Sequence, residues 1–253
     1  MNRLLLSILF FLAGLSVMAQ TKPAADTSWK KEYRETATRI NDLVHTKLEV
    51  KPDFSKSWLY GKAWITLKPH FYATDSLTLD AKGMEIKKIT LIKGTQQLPL
   101  KYTYDDWQLK INLDKTYKAT ESYTVYIEYT AKPDEFEEKY AQGAMLGIKG
   151  MYFINPKGED KNKPTQIWTQ GETESNSAWF PTIDKTQQKT TQELTVTVAD
   201  KYVTLSNGKL VSQKKNADGT HTDYWKMELP HSPYLFFLGV GEYAVIKDSW
   251  RGK

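Results

Sequence analysis

The chain has 253 residues, a formal net charge of +5 and no cysteine. Without cysteine there are no disulfides, no thiol nucleophile, no thiolate metal site and no lipidated N-terminal cysteine, so stability must come from burial. Lysines and acids are interspersed with no basic stripe, which argues against a nucleic-acid partner.

The first stretch, MNRLLLSILFFLAGLSVMAQ, carries one basic residue, Arg3, and then an apolar run from Leu4 to about Leu15. Val17-Met18-Ala19 offers small residues where a signal peptidase reads them. The run is too short to span a bilayer comfortably, so residues 1–19 are expected to be a cleaved secretory signal, leaving Gln20 first. The mature protein is then secreted or periplasmic, with no membrane contact after cleavage. Residues 20–42 form a polar linker with room for a short helix.

From residue 43 to 247 period-two alternation dominates, the signature of half-buried strands. Leu48 and Val50 alternate with charges, as do Ala63, Ile65 and Leu67, then Leu77 and Leu79. Trp107, Leu109, Ile111 and Leu113 follow, then Tyr123, Val125, Ile127 and Tyr129, and later Leu194, Val196 and Val198. Asn207-Gly208 is the pair that a type I′ hairpin turn demands, and Asp218-Gly219 signals a second turn. Strands at this spacing without amphipathic helices between them predict an antiparallel sandwich or curved sheet. The acidic stretch Lys132–Gly143 lacks the ligand spacing and glycine of a calcium loop and is expected to be a solvated connection.

The catalytic inventory is thin. His45, His70, His221 and His231 form no i, i+4 pair of the H-E-x-x-H kind, and there is no G-x-S-x-G elbow and no phosphate-cradling glycine loop. The unusual segment is WTQGETESNSAWFPTID, Trp168 to Asp184, which has neither strand nor helix period.

Within it, Thr169-Gln170-Gly171-Glu172 followed by Phe180-Pro181-x-x-Asp184 resembles the T-Q-x-E and F-P-x-x-D of the aminopeptidase N family of zinc metallopeptidases, which includes leukotriene hydrolase. Gly150-Met151-Tyr152-Phe153 resembles the family's G-[LIM]-Y-F strand. Pro230 to Leu235, with Phe236 to Gly241, resembles its closing strands. The likeness runs from about residue 35 to the C-terminus. It implies an all-β fold, the saddle-shaped antiparallel, sandwich-like N-terminal domain of a zinc aminopeptidase. Residues 248–253 would begin the link to a catalytic domain absent from this chain. No cofactor is then expected here, since the zinc would sit in that missing domain on H-E-x-x-H and a distal glutamate.

Departures are visible. Gly143-Ala144-Met145 looks like the start of the family's G-x-M-E-N, but Leu146 and Gly147 follow, and it precedes T-Q-x-E. Lys185-Thr186 replaces an acid or base followed by proline, and Ser175-Asn176-Ser177 stands where many members have arginines.

The resemblance also suggests roles. An aminopeptidase must hold the free ammonium of a peptide substrate, and a carboxylate at the pocket's end does so while rejecting internal segments. Glu172 is the candidate, with Gln170 donating to the substrate carbonyl or shaping the first side-chain pocket. Glu174 is expected to face solvent. The implied partners are a peptide substrate and the C-terminal catalytic domain. Two rivals stand beside this reading. One is a self-contained β-sandwich binding module for carbohydrate or peptide, favoured by a planar row of exposed Trp58, Trp64 and Trp107. The other is a non-catalytic scaffold of the same fold. Convergence of Glu172, Gln170 and Trp179 on an open rim would favour the aminopeptidase.

Overall fold

A computed structural model describes residues 36, 38–141, 147–246 and 248–251. The expected signal peptide, most of the linker and Gly143-Ala144-Met145 lie outside them. All elements belong to one unit, Arg39–Lys253. They are β1 (Asn41–Asp53), β2 (Trp58–Pro69), β3 (Thr74–Asp80), β4 (Met84–Lys93), β5 (Gln96–Pro99), β6 (Lys101–Tyr104), β7 (Gln108–Tyr117), β8 (Tyr123–Ala131), α1 (Pro133–Tyr140), β9 (Met151–Ile154), β10 (Gln166–Thr169), β11 (Thr190–Ala199), β12 (Val203–Ser206), β13 (Lys209–Lys215), β14 (Thr220–His231) and β15 (Leu238–Gly241).

An eight-stranded sheet runs β13-β14-β11-β1-β2-β8-β4-β5, a four-stranded sheet β12-β15-β10-β9, and a three-stranded sheet β3-β7-β6. Pairing is antiparallel except between β1 and β11, which lie parallel from His45↔Thr191 to Val50↔Val196. The alternating positions point inward as the pattern requires: Leu48, Ala63, Ile65, Leu67, Leu79, Leu109, Val125, Ile127, Leu194 and Val196 are fully buried. Each large aliphatic side chain so placed contributes about 1.5–3 kcal/mol of burial. A bulge between Leu43 and His45 shifts the register of β1 against β2, so Val44 faces out while Leu43, Thr46 and Leu48 stay buried.

Two local expectations are corrected. The acidic stretch is partly a helix: α1 starts on Pro133, whose missing N–H is no loss at a first turn, with Asp134 and Glu135 at its positive end. Phe136 is buried and meets Tyr140, four residues on, at 5.0 Å, and Trp107 packs on both. Its acids serve protein partners: Asp134 and Glu137 each hold Lys149 at 3.0 Å, and Glu135 accepts the Trp58 indole at 2.7 Å.

Asn207-Gly208 is not a hairpin turn. The strands it joins belong to different sheets, β12 pairing with β15 and β13 with β14. A type I′ turn needs positive φ at both central residues, and here only Gly208 has it, at 82°. The Asn207 side chain instead ties the corner down, donating to Leu235 O at 3.0 Å and accepting from Phe237 N at 2.7 Å. Asp218-Gly219 does turn the β13–β14 hairpin, with Gly219 at φ 75° and Asn216 N bonded to Thr220 O.

Candidate functional site

Trp168–Asp184 divides into an exposed tip and a buried base. β10 ends at Thr169, whose hydroxyl accepts from Leu238 N at 3.0 Å and so fixes the strand end to β15. Gln170 N then donates to Gly150 O at 2.8 Å. Gly150 and Gly171 are steric requirements. A Cβ on Gly150, at φ 60°, would lie 1.9 Å from Ser175 O, and one on Gly171 would lie 2.3 Å from Tyr234 O. Backbone segments approach here more closely than any other residue type allows.

The chain emerges at Glu172 and Thr173, which are joined by a cis peptide bond. The side chains of Gln170 and Glu172 are exposed and make no hydrogen bond or ion pair among the described residues. Glu174 is half-exposed but not simply solvated: its carboxylate pairs with Lys185, and its backbone carbonyl accepts from the Lys82 ammonium. Burial alone would lower the Lys185 pKa, but the Glu174 hydrogen bond and the charges of Asp80, Glu174 and Asp184 outweigh it and raise it.

The base is a short 3-10 turn, Asn176–Ala178, followed by Trp179-Phe180-Pro181, all buried. Asn176 spends its whole amide on this junction. Nδ2 donates to Pro233 O at 2.8 Å and Phe236 O at 2.9 Å, and Oδ1 accepts the Trp179 indole at 2.7 Å. Trp179, Phe180, Phe236 and His231 pack in succession, with ring centroids 4.5, 5.0 and 4.8 Å apart. Asp184 accepts from Ser177 N at 2.8 Å, and its own N–H donates to Asp80 Oδ2 at 3.0 Å. Asp80 and Thr182 form a two-way backbone bridge, and Lys82 N donates to Ser177 O at 2.8 Å. The motif residues Phe180 and Asp184 therefore hold the loop, Phe180 against Phe236 of the β14–β15 connection and Asp184 against Asp80 of the three-stranded sheet. Burial pushes the Asp184 carboxyl up to about 6, against the pull of its Ser177 bonds and Lys82.

Gln170 and Glu172 thus lie together on one exposed turn, and Trp179 does not join them: it is core. Trp58, Trp64 and Trp107 form no row either. Trp58 lies between Lys56 and Lys132 at 4.8 and 4.4 Å, Trp64 under Lys47 beside Tyr126, and Trp107 on α1. The observation that would have favoured a sugar platform is missing. The roles of Asn176, Lys82 and Lys185 carry no sign in the sequence: an amide and a lysine in a polar run do not show which is buried, and Lys82 lies 92 residues from its partner Glu174. A second polar pair, His221 and Asp223, is buried on β14, and its i, i+2 spacing places both on one face of the strand.

Zinc does not fit the residues present. Among the described residues no three His, Asp or Glu side chains gather as a metal site. His45 bonds to Thr191, His70 to Asp42 and His231 to Leu229 O, each in a separate neighbourhood.

Comparison with known proteins agrees with the geometry. The family model for the peptidase M1 N-terminal domain matches residues 42–235. The chain belongs to that family. A puromycin-sensitive aminopeptidase of Caenorhabditis elegans is 27% identical over 210 residues, which is 80% of this chain and 21% of that protein. Among solved structures, a two-domain M1 zinc metallopeptidase bound to L-tryptophan superposes with TM-score 0.67 at 17% identity, over 83% of this chain and 44% of that one. An M1 zinc metallopeptidase from Deinococcus radiodurans gives TM-score 0.66 at 16% identity, over 81% of this chain and 43% of that one. At these identities the structures speak to the fold, the M1 N-terminal β domain. The chain spans less than half the length of each of these relatives.

Proposed function

We propose that this chain is the substrate-facing N-terminal domain of an exported zinc aminopeptidase, which removes N-terminal residues from peptides. Its role is to hold the substrate's free ammonium through Glu172 while Gln170 contacts the first residue. The metal and the general base then belong to a catalytic domain encoded beyond Lys253, and residues 1–19 direct export.

The observation that carries this reading is the division of the loop. Gln170 and Glu172 are exposed and uncommitted, while the segment that follows is buried and pinned by Asn176 and Asp184. A rigid base under a polar tip is how a scaffold presents binding groups. A carboxylate there suits a cation, and a charge-assisted hydrogen bond to an ammonium is among the stronger polar contacts. Reading the codons downstream of Lys253 tests the domain assignment: H-E-x-x-H within about a hundred codons is expected. An open frame of comparable length without it would overturn the assignment.

A further inference from the structure

The eight-stranded sheet ends on two unlike edges. β5 is four residues long and closes on Pro99, which has no N–H to offer a further strand. β13 runs seven residues, Lys209–Lys215, without proline, and all of them are exposed. It pairs with β14 on one side, and among the described residues its backbone makes no other hydrogen bond. Its free row of N–H and C=O groups is a template for one more strand.

The side chains state which strand fits. Register against β14 sets Lys209, Ser212 and Lys214 on the outer face, opposite Lys226, Tyr224 and Thr222. Leu210, Gln213 and Lys215 face inward, bordering a groove that Leu205 and the segment Tyr243–Ile246 also line. Among the described residues Lys209, Lys214 and Lys215 pair with no acid. Lys209 lies directly across from Lys226, whose ammonium is taken by Glu228 at 2.9 Å. Like charges opposed across a ladder are unfavourable, and carboxylates on a neighbouring strand relieve them. A second copy of this chain does not fit, because two β13 strands side by side set lysine against lysine.

We propose that β13 is a docking edge for an extended acidic peptide segment, which adds a strand to the sheet. Its carboxylates lie beside Lys209 and Lys214, and its alternate, apolar side chains enter the groove beside Leu210. Lys215, on the groove side, adds to the attraction. The surface shares no residue with the Gln170–Glu172 turn and stands whether or not Glu172 binds substrate.

The test is fluorescence anisotropy of the whole chain with a labelled heptapeptide of alternating Glu and Val, blocked at both ends. Blocking removes the ammonium that Glu172 would hold, so binding reports on β13 alone. Saturable binding that weakens as salt is raised is expected. The same peptide with Lys for Glu should bind at least about tenfold more weakly. Lys209→Glu combined with Lys214→Glu, both at exposed positions, should reverse that preference. The acidic peptide should also slow hydrogen exchange at the amides of Lys209–Lys215, a readout that needs no variant. Absence of saturable binding overturns the proposal. Equal binding of the two peptides, or no slowing at β13, does the same. A dimer in sedimentation that the double substitution disrupts would give the edge to a second copy and overturn it as well.

Discussion

Asp184 closes its own loop by accepting the Ser177 amide at 2.8 Å, from a position that is almost wholly buried. The carboxyl is pushed up to about 6 by that burial, from an ordinary 3.8. The sign follows from linkage. A raised acid favours the protonated folded state, so its contribution is full below about 4 and is lost as pH rises through about 6. The shift corresponds to about 3 kcal/mol. Asp184→Asn keeps an acceptor for Ser177 without the charge. Urea midpoints of the variant and the parent should therefore diverge between pH 4 and 6, with the variant at least as stable at pH 7. Parallel curves would show that the burial does not act on this group.

Asn176 is the strongest single tie of the loop. Asn176→Ala leaves the buried Trp179 indole without a partner, at about 1–3 kcal/mol before relaxation, and removes one of two donors from each of the Pro233 and Phe236 carbonyls, which keep Phe236 N and the Thr169 hydroxyl. A loss of about 2 kcal/mol is expected in chemical denaturation. A loss below 1 kcal/mol would mean that the junction does not depend on this amide.

Gly150 and Gly219 separate steric need from conformational need. Both have positive φ, but a Cβ on Gly150 meets Ser175 O at 1.9 Å, whereas nothing lies within 4 Å of one on Gly219. Gly219→Ala should cost about 1–2 kcal/mol, the left-handed backbone alone. Gly150→Ala should cost that plus a further 1–3 kcal/mol of overpacking. Equal melting shifts for the two would remove the close approach between β9 and the loop.

Much of the fold was legible because the β period is short and local. Leu48, Ile65, Val125 and Leu194 were placed inward by alternation alone, and they are. What escaped depends on distant partners. The parallel pairing of β1 with β11 joins residues 146 apart in sequence, such as His45 and Thr191, and nothing local specifies it. Asn207-Gly208 carries a hairpin-turn signal that the Asn207 bonds to Leu235 and Phe237 override. α1 was missed although Pro133, two first-turn acids and the Phe136–Tyr140 spacing announce it. At the candidate site, the exposed carboxylate of Glu172 stood out in the motif. Its supports did not, because their partners are distant: Asn176 is held by Pro233 and Phe236, 57 and 60 residues on, and Asp184 by Asp80, 104 residues back.

Export is a separate expectation. Mass spectrometry of protein from the cell envelope or medium should find Gln20 at the N-terminus, as Val17-Met18-Ala19 directs. An intact Met1 in that fraction would contradict it.

The central claim is that Glu172 holds a substrate ammonium, and kinetics on the enzyme carrying its catalytic domain test it most directly. Glu172→Gln preserves shape and hydrogen bonding but removes the charge. A charge-assisted bond is worth about 1.5–3 kcal/mol, so kcat/KM toward a dipeptide should fall roughly ten- to a hundredfold with the fold intact. Glu174→Gln, which only breaks the partly exposed pair with Lys185, should change kcat/KM little. Unaltered kcat/KM in Glu172→Gln, or an equal fall in both variants, would contradict the role of Glu172 and leave the exposed turn a connection between two strands.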